Sequence, residues 1–233
     1  MLGEARIEKG EIIAEATSGN TGVALAALGA VLGFRVILFV PETASEEKVT
    51  LMRLYGAEIM RSGKNTDEAY RHLQNFLKEN PHIKTLDQFR NEANTKGHLS
   101  MAEEIYNAIG IPNQIFVPLG TGGTATALGS FFRSKGTEIV GVFPLGEIPG
   151  MRHFHKSFTP PVYREESVDR VVEISRNEAI LGVLKLARKE GIAVGISSGA
   201  AFSAARRYGR GRRVVIAPDG AETYLSILKE VVV

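Results

Sequence analysis

The sequence predicts an α/β fold made of two parallel-sheet, three-layer lobes with a ligand cleft between them. Apolar runs with strand character alternate along the chain with segments of helical character. Alternation at this spacing is typical of parallel sheets covered by helices on both faces. The composition, 233 residues of which 44% are hydrophobic and 23% charged, suffices for one large domain or two small ones.

The strand-like runs set the expected order of elements. They fall at residues 11–16, 35–40, 57–60, 83–88, 114–119, 138–143, 170–174 and 212–217. Helical segments are expected between them, among them a strongly amphipathic one at 67–80 and another at 94–109. We expect residues 1–91 to form a smaller α/β lobe and residues 92–233 a larger one.

The bulk properties make several classes of protein less plausible. A net charge of +2 gives no strong field for nucleic acid or an acidic membrane, and no apolar run reaches membrane-spanning length. The chain has no cysteine, so neither a disulfide framework nor a thiolate metal site is expected. Of the five histidines, His153 and His155 could share one face of a strand, but no third ligand lies near them in the sequence. We therefore expect a cytoplasmic protein with no metal, no nucleic-acid partner and no membrane partner.

A small polar turn, Thr-Ser-Gly-Asn-Thr-Gly at residues 17–22, joins the first strand-like run to an Ala/Leu-rich helix. Such a turn directs backbone N–H groups and short side-chain donors toward whatever lies above the helix N-terminus. An ordinary helix cap is the alternative, since Thr, Ser and Asn all cap helices and Gly permits the turn.

Two later turns repeat this arrangement. Gly-Thr-Gly-Gly-Thr at 120–124 opens a second Ala-rich helix, and small residues there would let backbone N–H groups approach a phosphate. A dinucleotide fingerprint is the competing interpretation, but the next strand ends Val142-Phe143-Pro144 without the acidic residue that a ribose requires. The third turn, residues 195–199, contains Ser197, which is either a helix cap or a ligand-binding hydroxyl.

Taken together, the three turns resemble those of the fold-type-II pyridoxal-phosphate (PLP) enzymes, which share the fold of the tryptophan synthase β-subunit. The resemblance is strongest to the branch of cysteine synthase (O-acetylserine or O-phosphoserine sulfhydrylase) and cystathionine β-synthase. It runs from about Glu11 to about Ser226. It implies PLP-dependent β-replacement on O-acetylserine or O-phosphoserine, a step of cysteine biosynthesis, and a homodimer.

The resemblance also assigns roles to individual residues. The 5′-phosphate would be held by Gly120, Thr121, Gly122, Gly123 and Thr124. Ser197 would hydrogen-bond the pyridine nitrogen, and Asn20 would hydrogen-bond the 3′-oxygen of the ring. The substrate carboxylate would be bound by Thr17, Ser18, Gly19, Thr21 and Gln88, although Gln88 alone reads as a solvated loop residue. Asn94 and His98 also follow the family spacing.

The lysine of the family's Schiff base is missing from the expected place. In the family it lies in a Ser-x-Lys turn well before the Thr-Ser-Gly-Asn motif. Here 16 residues precede Thr17, and their one lysine, Lys9, matches a different turn. We therefore expect an N-terminally shortened homologue with no catalytic lysine.

Three hypotheses follow from this departure. The first is a split or truncated synthase whose missing part a complementing chain supplies. The second is a non-catalytic protein that binds PLP, non-covalently if at all, or an amino-acid substrate or effector, and acts in regulation. The third is an unrelated nucleotide-binding α/β protein.

Overall fold

The computed structural model describes residues 7–154 and 158–231. The described chain is an α/β protein of parallel sheets, which confirms the predicted fold class. It divides into two compact units. The first unit contains the chain up to Gln88 together with the segment from Leu225 onward, and the second is Phe89–Tyr224. No helix in the described ranges is long and apolar enough to cross a membrane.

The first unit is a three-stranded parallel sheet in the order β1-β2-β3. Its elements are, in chain order, β1 Ile12–Ala16, α1 Asn20–Leu32, β2 Arg35–Val40, α2 Glu46–Leu54, β3 Glu58–Arg61 and α3 Thr66–Glu79. Its core is aliphatic, with Ile13, Leu38 and Met52 fully buried. A short helix, α9 (Leu225–Leu228), joins this unit through the hydroxyl of Ser226, which donates to Glu47 Oε2 at 3.0 Å.

The segment predicted as a strand at 83–88 pairs with β1 only at Lys84. The backbone N–H of Ala14 donates to the Lys84 carbonyl at 2.8 Å, and the Lys84 N–H donates to the Ile12 carbonyl at 3.0 Å. Asp87 then takes a left-handed φ of +46°. The extended run ends there because that conformation turns the chain out of the ladder.

The second unit is a four-stranded parallel sheet in the order β6-β5-β4-β7. Its strands are β4 Gln114–Pro118, β5 Glu138–Leu145, β6 Arg170–Ser175 and β7 Arg213–Val215. Its helices are α4 Ala93–Gly97, α5 Leu99–Ile109, α6 Gly123–Phe132, α7 Arg176–Glu190 and α8 Ile196–Tyr208. The helix predicted at 94–109 is thus two helices, which meet at His98.

Helices α7 and α8 of the second unit touch backbone to backbone. A β-carbon added to Gly182 would lie 2.2 Å from the Gly199 carbonyl oxygen, and one added to Gly199 would lie 2.2 Å from the Ala179 carbonyl oxygen. Helix α7 starts with a capping box in which Ser175 and Glu178 bind each other's backbone N–H. The close contact fixes α8, whose first residues include Ser197.

Candidate functional site

The turn at residues 17–22 lies between β1 and α1 in the first unit. Thr17 is buried, its backbone N–H donates to the Phe39 carbonyl at 3.0 Å, and its Oγ1 accepts the Gly19 N–H at 3.1 Å. No side chain caps α1, whose first residue, Asn20, is exposed. The helix start therefore leaves backbone donors for an anion.

Gln88 belongs to this turn in space, although 67 residues separate it from Thr21. Its Oε1 accepts the Thr21 hydroxyl at 2.7 Å, and its Nε2 donates to the Ala16 carbonyl at 2.7 Å. The side chain is 6% exposed. The structure thus brings Gln88 to the predicted carboxylate-binding residues and holds its amide in one orientation.

Two buried ionisable residues next to this turn were not predicted from the sequence. Lys48, in the first turn of α2, is 2% exposed, and its Nζ lies 3.7 Å from the position that a β-carbon on Gly19 would occupy. Its backbone N–H donates to the capping hydroxyl of Ser45 at 3.2 Å. Glu15, in β1, is 0% exposed, and burial raises the pKa of its carboxyl to about 8. Charged residue types ordinarily indicate exposure, so neither residue could be recognised as buried from its type.

The turn at residues 120–124 lies between β4 and α6 in the second unit. Gly122, the residue that precedes α6, has a φ of +87°, and a β-carbon there would lie 2.6 Å from Tyr163 Cβ. Helix α6 has no side-chain cap and no acidic residue in its first turn. These residues fit a phosphate, because the tight glycine turn brings uncapped N–H groups to a helix N-terminus.

Two side chains contact this phosphate-type turn, one from α4 and one from the junction of α4 and α5. Asn94 Nδ2 donates to Thr121 Oγ1 at 3.1 Å, and His98 Nε2 lies 3.3 Å from Thr124 Oγ1. Burial lowers the pKa of His98, which favours the neutral imidazole. The support is therefore uncharged near neutral pH.

Ser197 lies in the first turn of α8, 3% exposed, beside Ser198, which is 1% exposed. Within the described residues the Ser198 hydroxyl has no hydrogen-bond partner. The Gly195 N–H donates to the Asp219 carbonyl at 2.9 Å, and the Tyr224 hydroxyl donates to Asp219 Oδ2 at 2.7 Å. Burial and the neighbouring carboxylate raise the pKa of Tyr224, so it stays a neutral donor. The start of α8 thus places the neutral Ser197 hydroxyl near Asp219, whose carboxylate accepts a hydrogen bond from Tyr224.

No histidine-based metal site is present in the described ranges, where no cluster of three or more His, Asp or Glu side chains could hold an ion. His153 Nε2 lies 2.7 Å from Glu173 Oε1, while His155 falls outside the described residues. The donors at the two turns are backbone N–H groups, hydroxyls and amides. Such groups suit carboxylate, phosphate and ring heteroatoms.

Comparison with known proteins gives a consistent picture. Residues 1–219 match the family described as pyridoxal-phosphate dependent enzyme. The chain is 36% identical over 231 residues to cysteine synthase B of Pseudomonas aeruginosa, covering 94% of this chain and 77% of the relative. It is 34% identical over 251 residues to cystathionine beta-synthase of Oryctolagus cuniculus, covering 94% and 45%. A hydrogen sulfide-producing enzyme from Fusobacterium nucleatum superposes with a TM-score of 0.89 at 30% identity, over 96% of this chain and 82% of that one.

Proposed function

Because the chain belongs to the pyridoxal-phosphate dependent enzyme family, in its branch of cysteine synthase and cystathionine beta-synthase, we propose that it is a cysteine-synthase-like protein. The reaction proposed for its family type is β-replacement on O-acetylserine or O-phosphoserine. The observation that carries the proposal is Gln88, whose amide is held between Thr21 and Ala16 beside an uncapped helix start. That arrangement suits an amino-acid carboxylate, which accepts several N–H and O–H donors at once.

The proposal assigns the cofactor to named groups. Gly120, Thr121, Gly122, Gly123 and Thr124 hold the phosphate, Asn20 binds the 3′-oxygen, and Ser197 donates to the pyridine nitrogen. When bound, PLP supplies the electron sink for chemistry at the substrate α-carbon. Ser197, being neutral, leaves the ring nitrogen unprotonated, which favours elimination and replacement over transamination. Thr17, Ser18, Gly19, Thr21 and Gln88 orient the substrate through its carboxylate.

One buried amine lies next to the proposed carboxylate-binding turn. Lys48 is 2% exposed, and its Nζ lies 3.7 Å from the position that a β-carbon on Gly19 would occupy. We propose further that residues 1–233 bind PLP without a covalent bond to Lys48, because burial under Gly19 withholds this amine from the cofactor.

The test is a titration of the purified chain with PLP, followed by absorbance, borohydride reduction and mapping of the modified peptides. We expect saturable binding and no reduced conjugate on Lys48. Ser197→Ala should change the absorbance of the bound cofactor, while Ser198→Ala serves as the matched control. A conjugate on Lys48 at unit stoichiometry contradicts the proposal that this amine is withheld, and failure to bind PLP contradicts the whole assignment.

The proposal includes a homodimer, a cytoplasmic location, which the lack of cysteine favours, and a lobe boundary at residues 91/92. Light scattering at micromolar concentration tests the dimer. A monomer would contradict that part alone.

A further inference from the structure

Glu15 is a carboxyl group enclosed by the first unit. It lies in β1 opposite Leu38 of β2 and has no exposed surface. Its Oε1 accepts the Ala16 N–H at 3.1 Å, whereas its Oε2 has no hydrogen-bond partner within the described residues. A buried polar atom without a partner is costly, so its retention calls for a functional explanation.

The carboxyl of Glu15 lies at the junction between β1 and the turn at Asp87. The Ala16 N–H donates to the Glu15 carboxyl, and the Ala16 carbonyl accepts the Gln88 side-chain amide at 2.7 Å. The other end of that amide accepts the Thr21 hydroxyl. The carboxyl therefore contacts the backbone of the residue that holds the Gln88 amide at the carboxylate-binding turn.

The surroundings keep Glu15 protonated. Asp87 contributes a like charge, and its own carboxyl accepts the Tyr70 hydroxyl of α3 at 3.1 and 3.3 Å. From α2, Lys48 lies next to Gly19 of the 17–22 turn. From β2, the residue opposite Glu15 is the apolar Leu38. Burial, before the charge of Asp87, raises the pKa of Glu15 to about 8. Ionisation of Glu15 would place its negative charge near that of Asp87, a residue whose backbone already has a left-handed φ of +46°.

We propose that Glu15 is a positioning residue whose proton controls how the Asp87–Gln88 turn presents the Gln88 amide, and the start of α1 that it bonds, to a substrate carboxylate. This inference rests on the proposed function of the turn. The neutral acid leaves Asp87 and Gln88 in place. The ionised form repels the Asp87 carboxylate, so the turn and the Gln88 side chain move together.

The experiment is an NMR titration of the full chain that follows the Glu15 carboxyl carbon, the Gln88 side-chain amide and the Thr21 backbone amide. All three should change with one midpoint, about pH 8. Glu15→Gln should abolish the change at Gln88 and Thr21, since an amide keeps the acceptor and carries no charge. Glu11→Gln is the matched control, because Glu11 precedes the same strand but pairs with Lys84. Different midpoints, or a Gln88 signal that still titrates in Glu15→Gln, overturn the proposal.

A second arm separates this inference from the proposed function. The probe is 3-hydroxypropionate, which is serine without its amino group and keeps a constant charge above neutral pH. Its affinity should fall roughly tenfold on raising the pH well above the Glu15 midpoint, the effect expected when one buried hydrogen-bond pair is disturbed. The fall should persist in Glu11→Gln and disappear in Glu15→Gln. A constant affinity in the wild-type chain overturns the role of Glu15. Absence of binding at every pH overturns the assignment of the turn to carboxylates, while the common NMR midpoint still reports the proton coupling.

Discussion

The turns at 17–22 and 120–124 both open a helix that no side chain caps, but they have different supports. The turn at 120–124 is braced by Asn94 and by His98, whose burial favours its neutral form. The turn at 17–22 is braced by buried Lys48 and by Glu15, whose pKa is raised to about 8. Near neutral pH the side chains that contact the 120–124 turn are uncharged. Those next to the 17–22 turn include a lysine and an acid that ionises at about pH 8.

This difference predicts that the two proposed anion sites respond differently to pH. A phosphate site built on backbone donors and neutral supports should depend little on pH between neutrality and moderate alkali. A carboxylate site that rests on a buried acid should lose order when that acid ionises.

The largest expected effect concerns global stability and pH. The pKa of Glu15 is about 8 in the folded chain against 4.5 for the free group, so the folded state holds a proton that the unfolded state releases. The free energy of unfolding should therefore fall as pH rises from about 4.5 to about 8 and level off above. The total loss is roughly 5 kcal/mol, at about 1.4 kcal/mol per pH unit. Urea unfolding of wild type and Glu15→Gln across this range measures it; equal slopes in both would show that Glu15 is not responsible.

A smaller loss is expected from Gly122→Ala at the phosphate-type turn. The left-handed φ costs about 1–2 kcal/mol for alanine, and the contact with Tyr163 adds about 1–3 kcal/mol. PLP affinity should fall together with the melting temperature. Gly136→Ala is the control, because Gly136 has φ +89° with no atom near an added β-carbon, so it should show only the conformational cost. Equal losses of PLP affinity and melting temperature in the two variants would contradict a specific role of Gly122 at this turn.

Lys48→Met should weaken carboxylate binding by roughly tenfold, as expected for loss of one charge-assisted contact. PLP binding should change little, since the phosphate site that we propose lies in the second unit. Lys48→Arg keeps the charge and should retain part of the affinity. Isothermal titration with 3-hydroxypropionate and with PLP separates the two sites; a parallel loss of both affinities contradicts the contrast between the turns.

The smallest effect is a gain in stability from Ser198→Ala. Its hydroxyl is buried without a partner in the described chain, so removing it should stabilise the fold by about 1 kcal/mol. The bound cofactor should keep its absorbance in this variant. A spectral change as large as that of Ser197→Ala would move the ring-nitrogen assignment from Ser197 to Ser198.

The alternation of strands and helices and the three small-residue turns were predictable because they are local patterns. The strand predicted at 83–88 is only a single bridge at Lys84. The chain turns at Asp87, whose left-handed φ could not be predicted from the local sequence. The break of the 94–109 helix at His98 could not be predicted either, because the helical spacing of apolar residues does not mark it. Glu15 and Lys48 could not be predicted as buried, because their burial depends on Asp87, Gln88 and Gly19, which become neighbours only on folding.

The paired glycines of α7 and α8 have a consequence for how this chain can vary. Gly182 and Gly199 leave no room for even one methyl group on either side. A larger residue at Gly182 would displace α8 and carry Ser197 with it. Changes that alter the proposed pyridine-binding serine can therefore arise on the face of a neighbouring helix, outside the set of positions proposed to bind ligand.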